Sequence, residues 1–410
     1  MSMNVYQVAM RNVLRNKRRS ILSGVAIMVA SMSIVLLFAF IGGMKQDMRN
    51  NLTTYYTGDI RIRNAQFEEY ERYNPVHLTV NESEIASVLN QFEEVESYVP
   101  RIRFPSSFYI NSGMQGAVGI GADFEKEADF QQLDLILKEG RLPAEGEYEM
   151  LLGAVLARDL GLELGDSVTV MSTTSARGTN AITLKVVGLA SFPVASLNTQ
   201  FFWIDIDTAR YFLRMGENET HEMLLRSDGD IDSTASAIHK AVLESTGTEV
   251  ESKSFSQIND LYSMLSIAEN VYYIFTAIFL FLGSTVIINT TMMVIYERMR
   301  EIGTLAALGM KGKELIRLFF FEGLIISTIA SILGVIAGSL ISLYLSKVGI
   351  NFTDAMSGID MEISSILYPQ FAPITAVWIF IYSLAVTAVA TFIPSRKASR
   401  IEVVEALRYV

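Results

Sequence analysis

The chain has 410 residues, half of them hydrophobic and only 19% charged, too apolar for an ordinary soluble protein of this length. Lys and Arg number 33 against 44 Asp and Glu, a net charge of -11, so the basic surface that nucleic-acid phosphates require is missing. There is no cysteine, which excludes disulfide scaffolds, thiolate metal sites and cysteine nucleophiles.

Residues 1–20 carry Tyr6, Met10, Val13 and Leu14 on one side of a helical period and Arg11, Arg15, Lys17, Arg18 and Arg19 elsewhere. That pattern predicts a helix lying in the membrane interface. Ile21–Met44 (21–44) is the first charge-free stretch long enough to cross a hydrocarbon core of roughly 30 Å. Its apolar run exceeds the core of about 7–15 residues found in a cleaved signal peptide, so it reads as a retained anchor.

Residues 45–268 form a soluble insertion with 18 basic and 34 acidic residues, a balance of -16. Gly58–Arg63, Ser107–Ile110, Thr183–Ala190, Gln200–Ile206 and Met223–Arg226 alternate as strands do. Leu151–Leu160, Asp207–Met215 and Ile231–Glu244 read as helices, and Ser167–Met171 as a strand after a turn. The insertion is therefore an α+β domain, expected as two subdomains dividing somewhere between residues 105 and 150. Ser172–Ile182 is polar and too long for a tight hairpin; it reads as a surface loop or as a protruding arm for a soluble partner. His77, His221 and His239 lack ligand spacing and read as surface residues.

Three further spans follow, at 271–296, 318–346 (its charge-free part Gly323–Ser346) and 374–393, the last after Pro369 and Pro373 in a short 347–373 loop. Glu322 is the internal charge of the third span; a functional role and anchoring at the helix end both remain open. Gly334 and Gly338 give that span a small-residue face suited to close helix packing. Between the second and third spans, at 297–317, Ile302, Leu305 and Leu308 recur at helical spacing, with Gly309 as a terminator. Such a short helix has no core of its own and reads as a docking knob or as a ridge lying flat on the bilayer. Residues 394–410 form an amphipathic basic tail.

Basic residues near the ends of spans set orientation. The segment before the first span, the 297–317 loop and the tail hold 14 basic residues against five acids (Glu297, Glu301, Glu314, Glu402 and Glu405). Both termini and that loop are expected in the cytoplasm, with the acidic insertion outside. The sequence offers no phosphate-binding loop and no nucleophile elbow, so no catalytic residue and no metal site is expected.

Three blocks carry a resemblance: RNVLRNKRRSILS at 11–23, YERMREIGTLAALGMKGKELIRLFFFEG at 296–323, and IPSRKASRIEVVEALR at 393–408. They resemble the signature blocks of the MacB/FtsX/Lol superfamily of ABC transporter permeases, in the family's order and across essentially the whole chain. The block LLGAVLARDLGLELGDSVTVM at 151–171 is similar to lipoprotein-releasing permeases of the LolC/LolE type. The resemblance implies a multi-pass protein of the bacterial inner membrane with a periplasmic domain. Its implied partners are a second permease subunit, identical or paralogous, and a cytoplasmic ATPase dimer that holds the ATP and magnesium, leaving this chain without a cofactor.

The resemblance also implies that Glu297, Arg300, Glu301, Ile302, Gly303, Leu305, Leu308 and Gly309 form an ATPase-coupling helix. The work expected is mechanotransmission that extracts lipoproteins from the membrane. A MacB-like efflux permease for peptides or drugs, and an FtsX-like signal relay to a cell-wall hydrolase, are the alternatives. In the lipoprotein reading a periplasmic chaperone would meet Ser172, Thr173, Thr174, Ser175, Arg177, Gly178, Thr179, Asn180 and Ile182. Acyl chains would lodge against Met32, Leu36, Phe40, Met44, Met264, Ile267, Val271 and Phe275, whose long apolar side chains adapt to varied lipids.

Overall fold

The structure is a computed structural model and describes residues 5–15, 17–70, 75–110, 113–131, 133, 136–352 and 366–398. The N-terminal helices are α1 (Val5–Arg15) and α2 (Lys17–Leu52), the latter passing into a π-helical turn at Thr53–Thr57. β1 (Ile60–Asn64), α3 (Phe67–Tyr70), β2 (Val80–Asn81) and α4 (Glu82–Leu89) follow. The long β3 (Val95–Ile110) and β4 (Gly113–Ala122) lead to α5 (Phe124–Gln131), β5 (Leu137–Gly140), β6 (Glu149–Gly153) and α6 (Ala154–Leu160). Next come β7 (Ser167–Thr173), β8 (Thr179–Ala190), α7 (Ala195–Gln200), β9 (Phe201–Asp205) and α8 (Ile206–Leu213). They are followed by β10 (Glu219–Thr220), β11 (Glu222–Ser227), α9 (Ile231–Thr246) and β12 (Val250–Ser254). The remaining elements are α10 (Asn259–Tyr296), α11 (Met299–Ala307), α12 (Gly312–Val348), β13 (Ile350–Asn351), β14 (Ile366–Leu367) and α13 (Pro373–Ala398).

Two compact units result, one of membrane helices and one spanning Asp47–Ser266. In the second, the strands run in the order β12-β1-β11-β3-β4-β9-β6-β8-β5, and β7 pairs with both β3 and β8. The strands β3, β4, β9, β6, β8 and β7 therefore close on themselves as a barrel. Alternate residues fill its interior, among them Phe104, Phe108, Val168, Val170, Leu184, Val186, Phe202 and Ile204. The first half of β3 pairs with β11 and its second half with β4 and β7. The barrel is thus inserted between β3 and β11, and the two parts share one strand instead of dividing at a point between 105 and 150.

The β12-β1-β11 part has its own core. Ile60, Ile62, Met223 and Leu225 pack against Ile85 and Val88 of α4 and Ile238 and Val242 of α9. Because strand side chains alternate, Arg61 and Arg63 of β1 point away from that core, yet they too are buried. Arg101 and Arg103 of β3 are buried as well. Arg101 donates to both carboxylate oxygens of Glu127 on α5, at 2.6 and 3.0 Å, and to the Tyr55 carbonyl at 3.0 Å. Arg103 donates to the Tyr56 hydroxyl at 3.0 Å, so the turn that follows α2 is bonded directly to β3.

Several expectations change. The helix foreseen at Leu151–Leu160 starts only at Ala154, because Leu151 and Leu152 form a strand parallel to β8 and fill two different cores. His221 is fully buried, its Nε2 3.0 Å from the Val76 carbonyl, since β11 lies between two other strands; a surface role is excluded for it. His77 is exposed, and His239 is half-buried with Nδ1 2.8 Å from the Val250 carbonyl. The helix of the first span continues past Met44 to Leu52, and that of the second begins at Asn259.

Among the described residues, four helices of the membrane unit are long and apolar enough to cross a bilayer. The Ser31 hydroxyl of α2 lies 3.0 Å from that of Ser383 on α13 and 3.5 Å from that of Ser331 on α12, all three buried. Gly334 lets α12 approach α2 directly: a Cβ there would lie 2.3 Å from the Met28 carbonyl oxygen.

Candidate functional site

The coupling segment begins where α10 ends. Arg298 caps α11, whose first acid, Glu301, lies 3.3 Å from the Arg298 Nε. Met299 and Ile302 pack with Ile295 of α10 and with Leu315 and Phe319 of α12. Gly309 ends the segment with φ of +93°, a left-handed conformation that a side chain would strain, and the Met310 N–H closes on the Leu305 carbonyl at 3.1 Å. Then α12 starts, with the Glu314 carboxylate accepting from the Lys311 N–H at 3.0 Å.

This packing splits the expected ridge. Ile302 is 2% exposed and belongs to a core formed with the next helix, and Gly303 is buried beside it. Leu305 is half-buried, and Leu308 is 80% exposed. The surface left facing solvent is therefore Glu297, Arg300, Glu301, Thr304, Leu308 and Gly309, mostly polar with one large apolar residue.

The Glu322 side chain is buried among the helices. It is 4% exposed and ion-paired with Arg298, itself 2% exposed and lying 5.5 Å over the Phe319 ring. Sequence reasoning passed over Arg298 and Phe319. The signal available was a lone acid in an apolar run one helix away from a lone-facing arginine.

The stretch Ser172–Ile182 is a hairpin, not a long loop. β7 and β8 stay paired up to Thr173 and Thr179. The turn is closed by the Thr174 N–H donating to the Gly178 carbonyl at 2.8 Å, with the Thr174 hydroxyl oxygen accepting from the Gly178 N–H at 3.2 Å. Its tip is tied to the end of α8. The Ser175 N–H donates to the Leu213 carbonyl at 2.9 Å, the Ser175 hydroxyl to the Arg214 carbonyl at 2.6 Å, and the Asn180 amide to the Phe212 carbonyl at 2.8 Å. Thr173, Arg177, Gly178 and Thr179 are exposed, whereas Ser172 and Thr174 are buried.

Of the proposed acyl-chain residues, Met32, Leu36, Phe40 and Met44 are half-buried along α2. Ile267, Val271 and Phe275 are exposed on α10, and the Met264 side chain lies outside the described residues. The helices do form an open, mostly apolar cavity of about 270 Å³, but none of those residues lines it. It is bounded instead by Val35, Phe38 and Gly42 of α2, Tyr272 and Thr276 of α10, and Thr375 of α13. Residues 399–410 of the basic tail lie outside the described residues. Among the described residues, no cluster of three or more His, Asp or Glu is placed to hold a metal ion.

A mixed α/β domain inserted between the first and second of four apolar helices, with a short helix after the second, defines a multi-pass membrane protein of permease type. The MacB-like periplasmic core domain family matches residues 20–241, more than half the chain, and the FtsX-like permease C-terminal family matches residues 273–403. The chain belongs to this family of ABC transporter permeases. It is 26% identical over 281 residues to the lipoprotein-releasing system transmembrane protein LolC of Xylella fastidiosa, covering 64% of this chain and 65% of that relative. It is 22% identical to the macrolide export ATP-binding/permease protein MacB of Bdellovibrio bacteriovorus, covering 96% of this chain and 60% of that one. The chain thus spans less than two thirds of the length of these relatives. Among solved structures, the periplasmic region of MacB from Actinobacillus actinomycetemcomitans is similar with a TM-score of 0.36 and 15% identity, over 50% of this chain and 94% of that one.

Proposed function

We propose that the chain is the permease subunit of an ABC transporter that couples ATP hydrolysis by a separate cytoplasmic ATPase to extraction of lipoproteins from the inner membrane. The observation that carries the coupling is α11. Its inner face is fixed to α12 by Met299 and Ile302, while Glu297, Arg300, Glu301 and Leu308 stay exposed. An ATPase that grips this surface moves a helix already packed onto a membrane span. The termini and α11 face the cytoplasm and the Asp47–Ser266 unit faces the periplasm, as the basic residues near the spans favour. Two permease subunits, identical or paralogous, and an ATPase pair complete the assembly. A periplasmic chaperone would meet the exposed tip residues Arg177, Gly178 and Thr179.

Likeness to the LolC protein supports the lipoprotein substrate. The match to the MacB protein over 96% of this chain supports a second reading, efflux of peptides or drugs. Mass spectrometry of what co-purifies from native membranes in mild detergent, with ATP withheld, separates the two. Acylated lipoproteins enriched together with an ATPase subunit are expected. An adaptor protein with no acylated partner sinks the lipoprotein reading and favours efflux.

A further inference from the structure

All four membrane helices meet at one small cavity, whose largely apolar wall, with Ile27, Ile295, Phe319 and Ile326, carries a few polar groups. The cavity, of about 30 Å³ and with room for roughly one water, is also lined by Ser23 of α2, Thr291 and Arg298 at the end of α10, Glu322 of α12 and Thr391 of α13. Arg298 and Glu322 form a buried ion pair across it, and Arg298 is also the residue from which α11 starts. A second carboxylate, Glu301 within α11, lies 3.3 Å from the same guanidinium, and the Phe319 ring lies 5.5 Å beneath it. A buried ion pair is a poor device for stability, because apolar residues of the same size pack there as well or better; fixing one geometry is its better-attested use. Here the geometry fixed is that of α11 against α12. Beyond this point α12 is locked to α2 and α13 through the Ser31, Ser331 and Ser383 hydroxyls.

We propose that the Arg298–Glu322 pair is the latch that carries displacement of α11 into α12, and through α12 into the bundle. The latch rests on the reading of α11 as the ATPase-docking helix. If α11 turns while the pair holds, α12 must follow, because pulling Arg298 away from Glu322 separates opposite charges in a place shielded from water. Without the pair, α11 keeps the apolar packing of Met299, Ile302, Leu305 and Ala306, which resists sliding less than a directional ion pair does.

The test uses the permease–ATPase complex in lipid nanodiscs. The chain has no cysteine, so Leu243→Cys on α9 and Tyr344→Cys on α12 supply two unique spin-label sites. The distance between them, with and without ATP and vanadate, reports motion without reference to any cargo. The expected result is an ATP-driven shift in the parent chain. That shift is lost in Glu322→Gln and in Arg298→Gln while ATP hydrolysis continues, and regained in the exchange variant Arg298→Glu/Glu322→Arg. Glu322→Gln keeps the shape of the side chain but lowers the melting temperature by leaving a buried charge short of its partner, so continued ATP hydrolysis in it, and regain of the shift in the exchange variant, separate transmission from folding. A parent chain without a shift overturns the coupling reading itself. A normal shift in both single variants, or an exchange variant that hydrolyses ATP and does not regain it, overturns the latch alone.

Discussion

His221 shows how one buried side chain ties stability to pH. It is enclosed between β11 and the residues around Val76, and burial pushes its imidazole below the ordinary histidine range. A group held neutral in the fold but free to protonate when unfolded favours the unfolded chain as pH falls below its ordinary value near 6.5. Its contribution is therefore intact above about pH 6.5 and lost progressively on acidification. Glu222 next to it behaves alike at lower pH: burial raises its carboxyl, but Arg103, Arg61, Arg63 and Arg101 outweigh that and hold it below the usual range. Burial pushes Glu127 up despite Arg101, which gives the opposite slope. Because these carboxylates act in parent and variant alike, the difference between the two isolates His221. Trp203 is buried in the same unit, and replacing the other tryptophan, Trp378→Phe, makes it the sole reporter. The melting temperature read from Trp203 should drop between pH 7.5 and 5.5, and His221→Gln should flatten that drop. An unchanged slope would show that His221 titrates normally. No local pattern announces this burial, because it arises from pairing of β11 with strands more than a hundred residues earlier.

At the level of elements, legibility follows the range of the forces involved. The four spans were readable because a charge-free run of about 20 residues has few fates other than a membrane helix. The position of α11 was readable from its spacing and its glycine, but its buried face was not, since Leu315 and Phe319 of the next helix decide it. The hairpin at 172–182 was misread because composition shows polarity and does not show that the end of α8 supplies acceptors for its tip. The division within α11 makes a paired prediction. Leu308→Asp should leave the fold within about 0.5 kcal/mol, as surface changes do, yet weaken ATPase association by about tenfold, or 1.4 kcal/mol. Ile302→Asp should instead cost the fold about 3–5 kcal/mol by burying an unpaired charge. Thermal melting and co-purification of the ATPase read the two effects separately, and equal behaviour of the variants would contradict the division of the helix into an inner and an outer face.

For the whole molecule, the decisive quantity is the sidedness of charge. Four crossings would place the Asp47–Ser266 unit on one side of the bilayer and α11 with both termini on the other. The 14 basic residues next to the spans on the terminal side, against five acids, favour retention of that side in the cytoplasm. The insertion has a balance of -16, and beside the first span it carries only Lys45 and Arg49, with Asp47 between them, against five bases on the other side of that span. Single thiols in this cysteine-free chain test the assignment directly. Leu243→Cys on α9 and Lys313→Cys at the start of α12 both sit at exposed positions. In spheroplasts a membrane-impermeant maleimide should label the first at once and the second only after permeabilisation. The reverse pattern would put α11 on the side without ATP, and an ATPase could then no longer drive the permease through that helix. Labelling of both sites in intact spheroplasts would instead mean an even number of crossings between α9 and the start of α12, so the span count itself would have to change.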